Sequence, residues 1–320
     1  MTEIDLRRGY TLIELIVTLV VSSILALGTF KAIQEIYLKW QKTKTLTHMV
    51  LDTQSAIDQI GTLLYDRING SEIRYNPTDN SYTPLFESSS EDYPIFEWIG
   101  RAREVENNST SISMFIDLND PNNDSDSGIF RSPQTHGNEI NITVREKFGF
   151  EESRDIFDSR DVNIIFPILD VYNLGWHGSD RNDSFDINIS ENESITFNSD
   201  ALRGKAVYAI YHLIDSAYAV ARGADVNTSH SCFDYLRENN ISFDDNTLFL
   251  FYNYRPWRGE TFCGDYDHGI DREGNVTVLM QNVTGFYVKK EGGSVRIKID
   301  SYKDIRGASR VHISKQKVIF

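Results

Sequence analysis

The sequence contains few cysteines, fewer basic than acidic residues, and only one long apolar run. Its 320 residues include two cysteines. They also include 32 Lys and Arg and 47 Asp and Glu, which gives a formal net charge of −15. Residues 1–68 hold seven basic and seven acidic side chains, so the whole acidic excess lies in the rest of the chain. An acidic body repels phosphate backbones, and we therefore expect no nucleic-acid partner.

Catalytic and metal-binding signatures are also missing. The sequence has no GxSxG, no GxxxxGK[ST] and no GxGxxG after a strand. Its seven histidines form no HExxH cluster, and its two cysteines form no CxxC cluster. We therefore expect a protein that is not an enzyme, with no catalytic residue and no cofactor.

The one long apolar run spans residues 10–30, where Glu14 is the only ionised side chain among 21 residues. As a helix it would be about 31 Å long, which matches the hydrocarbon thickness of a bilayer. A cleaved secretory signal peptide is disfavoured because the run is longer than an ordinary apolar region and no small-x-small cleavage site follows it. An uncleaved signal anchor is a second alternative. A carboxylate in lipid needs a compensating partner.

The residues around this run resemble the type IV prepilin signature. Arg7, Arg8 and Gly9 form a short basic leader that ends in Gly, and Tyr10-Thr11-Leu12-Ile13-Glu14 places an aromatic residue and a glutamate at the start of the mature chain. Tyr10 stands where the family usually has Phe. The resemblance implies cleavage after Gly9 by a prepilin peptidase, N-methylation of Tyr10, and pairing of Glu14 with the Tyr10 amine of a neighbouring subunit during assembly.

The resemblance also implies a function and a location. The chain would be a structural subunit of a type IV pilus-like filament, anchored in the bacterial inner membrane by a single span with its head in the periplasm, and later extracted into a filament. Its partners would be other pilin or pseudopilin subunits, the prepilin peptidase, an inner-membrane assembly platform and membrane lipid.

The large head is similar to those of minor pilins and J-type pseudopilins, which favours a low-copy subunit that primes or caps assembly. A type II secretion pseudopilin in protein export is the first alternative. The second alternative is a tip adhesin with a ligand-binding head, motivated by the aromatic stretches "YNYRPWRG" and "GWHGSD".

The expected fold class is α+β, with a long N-terminal helix packed on an antiparallel β-sheet head with enlarged loops. An apolar stripe continues beyond the membrane run at spacings of three or four, and Asn69-Gly70 is the predicted stop. Four segments follow from this pattern: a leader at residues 1–9, a membrane or filament-core helix at 10–37, an amphipathic helix that packs on the head at 38–68, and a periplasmic strand-rich head at 69–320.

Short strands are predicted throughout the head, with long polar loops at 76–92 and 119–138. The clearest signal is "GFYVKKEGGSVRIKID", in which Gly292-Gly293 separates two alternating segments. The predicted strands are at residues 111–118, 139–145, 161–166, 205–213, 217–222, 247–254, 276–281, 285–290 and 294–300.

Cys232 and Cys263 are expected to form a disulfide in an exported head, with two buried free thiols as the alternative. Closing a loop of about 32 residues would stabilise the head by roughly 3 to 4 kcal/mol in the chain-entropy model.

Two acidic loops present oxygen atoms at alternate positions, as a calcium ion requires. Neither loop has the EF-hand spacing, so solvated loops are the favoured interpretation and calcium is a weak candidate. The residues concerned are Asp120, Asp124 and Asp126 in the first loop, and Asp265, Asp267 and Asp271 in the second.

One sequence pattern is more frequent than chance. The head contains seven pentads of the form Asp/Glu-x-Asn-x-Ser/Thr, whereas independent placement of 23 Asn, 47 acidic and 49 Ser or Thr residues gives about 0.5. The pentads resemble the extended acceptor sequon of bacterial oligosaccharyltransferases, which implies N-glycosylation of exposed loops. A locally polar composition is the alternative. The pentads are centred on Asn108, Asn141, Asn182, Asn188, Asn227, Asn240 and Asn275.

Overall fold

The computed structural model describes residues 11–87, 92–107, 112–263, 274–305 and 310–320. Within these ranges the α-helices are α1 (Leu12–Tyr65), α2 (Arg103–Glu106), α3 (Gly137–Phe148), α4 (Ser199–Leu202) and α5 (Asp234–Glu238). The β-strands are β1 (Ile73–Asn76), β2 (Ser81–Pro84), β3 (Ile95–Arg101), β4 (Ile129–Arg131), β5 (Asn163–Ile165), β6 (Ser184–Ile189), β7 (Ser194–Phe197), β8 (His212–Arg222), β9 (Leu248–Tyr254), β10 (Asn275–Met280), β11 (Val283–Glu291), β12 (Ser294–Lys303) and β13 (Val311–Ile319). A long N-terminal helix followed by an antiparallel sheet head confirms the expected α+β class.

The chain divides into two compact units. The first comprises residues 1–51 and 302–313, and the second comprises residues 52–301 and 314–320. The boundary falls inside α1, so this helix contributes to both units.

The larger sheet is built around β8. Its strand order is β2-β1-β3-β8-β5-β6-β7-β4, and β9 also pairs with β8 and carries β10 at its other edge. The long β8 pairs with β3 along one edge, while β5 and β9 share the other edge. A second sheet has the order β11-β12-β13, and β11 and β12 are antiparallel.

The centre of the larger sheet is covered on both faces, as the nearly continuous burial of β3 and β8 requires. Phe96, Trp98 and Val220 pack in one cluster with the last turns of α1 and with the apolar face of β11 and β12. The intervening residues of the same strands, such as Ile99 and Ala219, belong to a cluster on the other face. Because successive side chains of a strand point to opposite faces of the sheet, β3 and β8 each contribute side chains to two apolar clusters.

A third apolar cluster lies around β5, β6, β7 and α3, and it includes Ile164, Phe185, Ile195 and Ile140. The strands that follow β8 in the sheet order, β5, β6, β7 and β4, therefore pack around this third cluster.

Helix α1 ends three residues before the predicted end at Ile68. The chain after Tyr65 runs beside β3, where the Ile68 N–H donates to the Ile99 carbonyl at 2.8 Å and the Arg101 N–H donates to the Asp66 carbonyl at 2.8 Å. Pairing with a strand therefore ends the helix before the Asn69-Gly70 signal, although Gly70 does adopt a positive φ of 93°.

The apolar stripe of α1 is buried only in part. Ile57, Ile60 and Leu64 are buried in the second unit. In the first unit Ile33 and Trp40 are 65% and 56% exposed, and the buried Met49 packs with the apolar side chains Ile305, Val311 and Ile313.

The predicted strand at 139–145 is wrong, because these residues lie in helix α3. Ile140, Ile142 and Val144 alternate in the sequence, but Ile140 and Val144 are buried one helical turn apart while Ile142 is 45% exposed. Gly149 ends the helix in the left-handed conformation at φ 65°.

The predicted strands at 111–118 and 205–213 are also wrong over most of their length. In the described part of these segments a single bridge joins Phe115 to Ile210, and β8 begins only at His212. Met114 has a positive φ of 54°, which breaks the extended run.

The other six predicted strands correspond to β5, β8, β9, β10, β11 and β12, with the hairpin turn at Gly292-Gly293 as expected. Two strands that the sequence does not predict, β2 and β4, lie in the segments expected to be loops. The other strands without a prediction are β1, β3, β6, β7 and β13.

Candidate assembly segment and head sites

The start of α1 is closed by a capping box that Thr11 and Glu14 form. The backbone N–H and the hydroxyl of Thr11 both donate to Oε2 of Glu14 at 3.0 Å, and the Glu14 N–H donates to the Thr11 hydroxyl at 3.4 Å. This reciprocal arrangement satisfies backbone donors that a helix N-terminus leaves unpaired. Among the described residues no basic side chain lies within ion-pair distance of Glu14.

The first half of α1 presents an apolar surface that the chain itself does not cover. Its most apolar 18-residue window has a mean hydropathy of 2.2 and no buried residue. The hydroxyls of Thr18, Ser23 and Thr29 donate to carbonyls of their own helix at 2.7 to 3.0 Å. These polar groups are therefore satisfied without water, which suits a helix in lipid or in a filament core.

The two predicted processing residues, Gly9 and Tyr10, lie outside the described residues.

The predicted disulfide is present between Cys232 and Cys263, with a Cα–Cα distance of 6.0 Å. It joins the short 3-10 turn Ser231–Phe233 to the segment after β9, next to the aromatic cluster of Phe233, Phe251 and Phe262. A ring nitrogen of His230 and the two sulfurs lie within 4.8 Å of one another. Since the sulfurs bond to each other, we assign this group as a structural crosslink.

The carboxylates of the first acidic loop hold its turns. Asp120 accepts hydrogen bonds from the Asn122 N–H at 2.8 Å and from Arg131 at 2.9 Å, and Asp124 accepts from the N–H groups of Asp126 and Ser127. These bonds lower the pKa of Asp120, chiefly through the Asn122 backbone, and the pKa of Asp124, chiefly through Ser127. The oxygens serve as Asx-turn acceptors, and Asp126 is exposed. The other loop residues, Asp265, Asp267 and Asp271, lie outside the described residues.

The sequon asparagines fall into three groups. Asn108 lies outside the described residues, and Asn141 is half-buried in α3 rather than in an exposed loop. The exposed ones are Asn182, Asn188, Asn227, Asn240 and Asn275.

Three aromatic side chains of the two stretches that suggested an adhesin are interior, while Tyr252 is half-buried. Trp176, Tyr254 and Trp257 have 0 to 1% of their surface exposed and pack in one cluster. These rings therefore pack in the core and are not displayed to a ligand.

A buried polar network that sequence reasoning missed lies in the same core. Oε2 of the fully buried Glu97 accepts the Tyr254 hydroxyl at 2.7 Å, and its Oε1 contacts Nε2 of His177 at 2.7 Å. His177 stacks on Tyr75 with ring centroids 3.7 Å apart. Burial, and then the Glu97 charge, raise the pKa of Tyr254 well above its usual value. A Glu in the middle of an apolar strand was the available signal, since such a residue is buried only with partners.

A second buried cluster ties the end of α1 to the hairpin of β11 and β12. Glu72 accepts hydrogen bonds from Nε of Arg67 at 2.8 Å and from Nζ of Lys290 at 3.0 Å, and Arg67 also donates to the Gly293 carbonyl at 3.1 Å. Burial alone would raise the pKa of Glu72, but the Lys290 charge and the hydrogen bonds from both cations outweigh it, so the pKa is lowered.

Comparisons with known proteins give one match. The family described as the prokaryotic N-terminal methylation motif matches residues 5–30, which include Gly9, Tyr10 and Glu14. No curated protein matches the chain, and no solved structure does. The match covers the same stretch as the exposed apolar helix and the Thr11–Glu14 capping box. The chain therefore carries, at residues 5–30, the N-terminal methylation motif that is the signal of type IV prepilin-like proteins.

Proposed function

We propose that the protein is a structural subunit of a type IV pilus-like filament, a low-copy minor pilin that primes or caps assembly after a prepilin peptidase removes residues 1–9. The observation that carries this proposal is the uncovered apolar surface of α1, which begins beside a single carboxylate and coincides with the methylation motif. In this proposal the protein acts by assembling with other subunits and not by catalysing a reaction.

In this proposal residues 10–37 anchor the chain in the inner membrane and later form the filament core. The helix continues to Tyr65, and residues 69–320 form the periplasmic head. An apolar surface without charge fits lipid before assembly and fits neighbouring helices after it. The Glu14 carboxylate pairs with the methylated Tyr10 amine of an adjacent subunit, which places two opposite charges in contact inside an apolar environment.

The head supports a low-copy position. The second compact unit spans residues 52–301 and 314–320, contains three apolar clusters and carries the acidic excess of the chain. A repeating subunit of this size and charge would bring like-charged heads together along the filament, which is unfavourable. One copy at a tip avoids this repulsion.

The test is the variant Glu14→Gln in the native host, with Glu35→Gln as the matched control. Both residues are exposed on α1, but only Glu14 lies inside the methylation motif. Glutamine keeps an oxygen for the Thr11 cap and removes the charge. We expect the amount of protein in sheared filaments to fall at least about tenfold for Glu14→Gln, since losing 1.4 kcal/mol of an apolar ion pair is a factor of ten, and to stay unchanged for Glu35→Gln.

Mass spectrometry of the mature N-terminus completes the test. We expect methylated Tyr10 as the first residue in both variants and in the wild type. Retention of residues 1–9 in the working form, or equal incorporation of Glu14→Gln and wild type, would show that the proposal is wrong.

A further inference from the structure

The asparagine sequons of this chain are unusual in the residue type found two positions before the asparagine. The sequence contains twelve Asn-x-Ser/Thr sites without Pro at x, and seven of them have Asp or Glu two residues before the Asn. Since 47 of 320 residues are acidic, about two such sites are expected among twelve. The acidic residue is therefore associated with the sequon itself and not only with a polar composition. The five sites without it are Asn69, Asn107, Asn123, Asn192 and Asn282.

The extended sequons are confined to one part of the molecule. The first asparagine in the chain is Asn69, so the whole of α1 lacks an acceptor. The six extended sequons whose asparagine the structure describes all lie in the second compact unit. A bulky hydrophilic glycan on α1 would oppose its burial in lipid or in a helix bundle, whereas a glycan on the head remains in water.

Five of these six asparagines are exposed and lie on different elements. Asn188 is on β6, Asn275 begins β10, and Asn240 follows α5 with a positive φ of 54°. Asn227 forms an Asx turn, in which its Oδ1 accepts the N–H of Ser229, the hydroxyl residue of its own sequon, at 3.1 Å. This bond uses the oxygen of the amide and not the nitrogen that would carry a sugar.

The sixth asparagine differs. Asn141 is half-buried in the middle of α3 beside the core residues Ile140 and Val144, and its Oδ1 is buried without a hydrogen-bond partner in the described part of the chain. A glycan on this side chain would displace packing of the third apolar cluster.

We propose that the folded head is N-glycosylated at the exposed extended sequons Asn182, Asn188, Asn227, Asn240 and Asn275, with a lipid-pyrophosphate-linked oligosaccharide as the donor. The amide nitrogen of Asn attacks C1 of the first sugar and loses a proton. A C–N bond forms while the bond from C1 to the phosphate oxygen breaks, and the lipid pyrophosphate leaves. The carboxylate two residues earlier gives the transferase a charged group to bind. This proposal requires export of the head and is independent of filament assembly.

The hairpin of β6 and β7 allows a test with one substitution. Ser190 is the hydroxyl residue of the Asn188 sequon, and it also stands two residues before the exposed Asn192, at the position where an extended sequon has Asp or Glu. Ser190→Asp therefore removes the first sequon and converts the second to the extended form. An Asp carboxylate can still accept the Asn192 N–H that the Ser190 hydroxyl accepts at 3.3 Å, but it loses the weak hydrogen bond that this hydroxyl donates to the Ser194 carbonyl at 3.4 Å.

The measurement is glycopeptide mass spectrometry of the full chain from its native host, with Asn188→Gln as a second variant. In the wild type we expect hexose or amino-sugar increments on the Asn188 peptide and none on Asn192, although the two sites are four residues apart. In Ser190→Asp the increment moves to Asn192, and in Asn188→Gln it disappears without a new site. A wild-type chain without sugar on any extended sequon, or with equal occupancy at Asn192, would overturn the proposal. Filament incorporation is measured separately, so failure of either proposal is recognised independently.

Discussion

At the scale of single residues, the buried carboxylates of the head illustrate what sequence can and cannot predict. Glu97 lies between Phe96 and Trp98 in β3, and the sequence shows an acid in an apolar run without showing its partners. Those partners, Tyr254 and His177, are 157 and 80 residues away. Local patterns report propensity and spacing, whereas such contacts depend on the tertiary fold.

The Glu97 network leads to a stability prediction for Tyr254→Phe. The variant keeps the ring and removes the hydroxyl, so Oε2 of Glu97 loses its donor inside the core. We expect the free energy of unfolding to fall by about 1 to 3 kcal/mol, measured by urea unfolding of the purified chain. Tyr235→Phe is the control because Tyr235 is 66% exposed. Equal stability of Tyr254→Phe and wild type would contradict this assignment.

Glu72 leads to a prediction of pH dependence. Its pKa is lowered from 4.5 in the folded chain, so its ion pairs stabilise the fold above about pH 4.5 and this contribution is lost as the pH falls through the folded-state pKa. We expect thermal unfolding between pH 3 and 7 to show a large gap between wild type and Glu72→Gln at pH 7 that narrows toward pH 3. This pH range extends from below to above the usual pKa of a glutamate carboxyl group.

The control for this series is Glu152→Gln, because Glu152 is exposed. Its melting curve should follow the wild type at every pH. A gap for Glu72→Gln that stays constant across the range would mean that the charge of Glu72 does not contribute.

At the scale of elements, the sequence prediction is accurate where neighbouring residues determine the structure, and less accurate where contacts with distant residues determine it. The hairpin of β11 and β12 follows from a local signal, the Gly-Gly turn, and it was predicted. The capping box at the start of α1 is also a local signal, but the sequence prediction did not use it. The alternation of β-branched residues predicts a strand where the structure has helix α3. Gly149 and the basic residues Arg145 and Lys147 are helix-end signals that agree with the observed structure.

The disulfide leads to a prediction at the same scale. Cys232 and Cys263 are 31 residues apart, and the crosslink restricts the unfolded chain. We expect reduction to lower the free energy of unfolding by about 3 to 4 kcal/mol, measured by urea unfolding with and without a thiol reductant. The double variant Cys232→Ser, Cys263→Ser should match the reduced wild type and should not respond to the reductant. Identical unfolding of the oxidised and reduced wild type would count against a stabilising crosslink.

At the scale of the whole molecule, the sequence predicted which part of the chain would be left uncovered. The apolar window of α1 has no buried residue, whereas the apolar side chains of the head form continuous clusters. A large apolar surface that the folded chain leaves exposed indicates contact with another apolar environment. The missed strands β3, β6 and β7 lie inside the head, where pairing across the sheet and not local pattern selects them.

Under the proposed function, the hydrogen bonds between Thr11 and Glu14 would also act in the subunit before it joins a filament. The Glu14 carboxylate accepts two hydrogen bonds from its own chain, so its charge would be partly compensated in lipid before an ammonium lies beside it. Docking would then replace neutral donors with a charged one, and the free energy gained would be the difference between the two sets of hydrogen bonds. The cap would therefore lower the cost of keeping the unassembled subunit in the membrane.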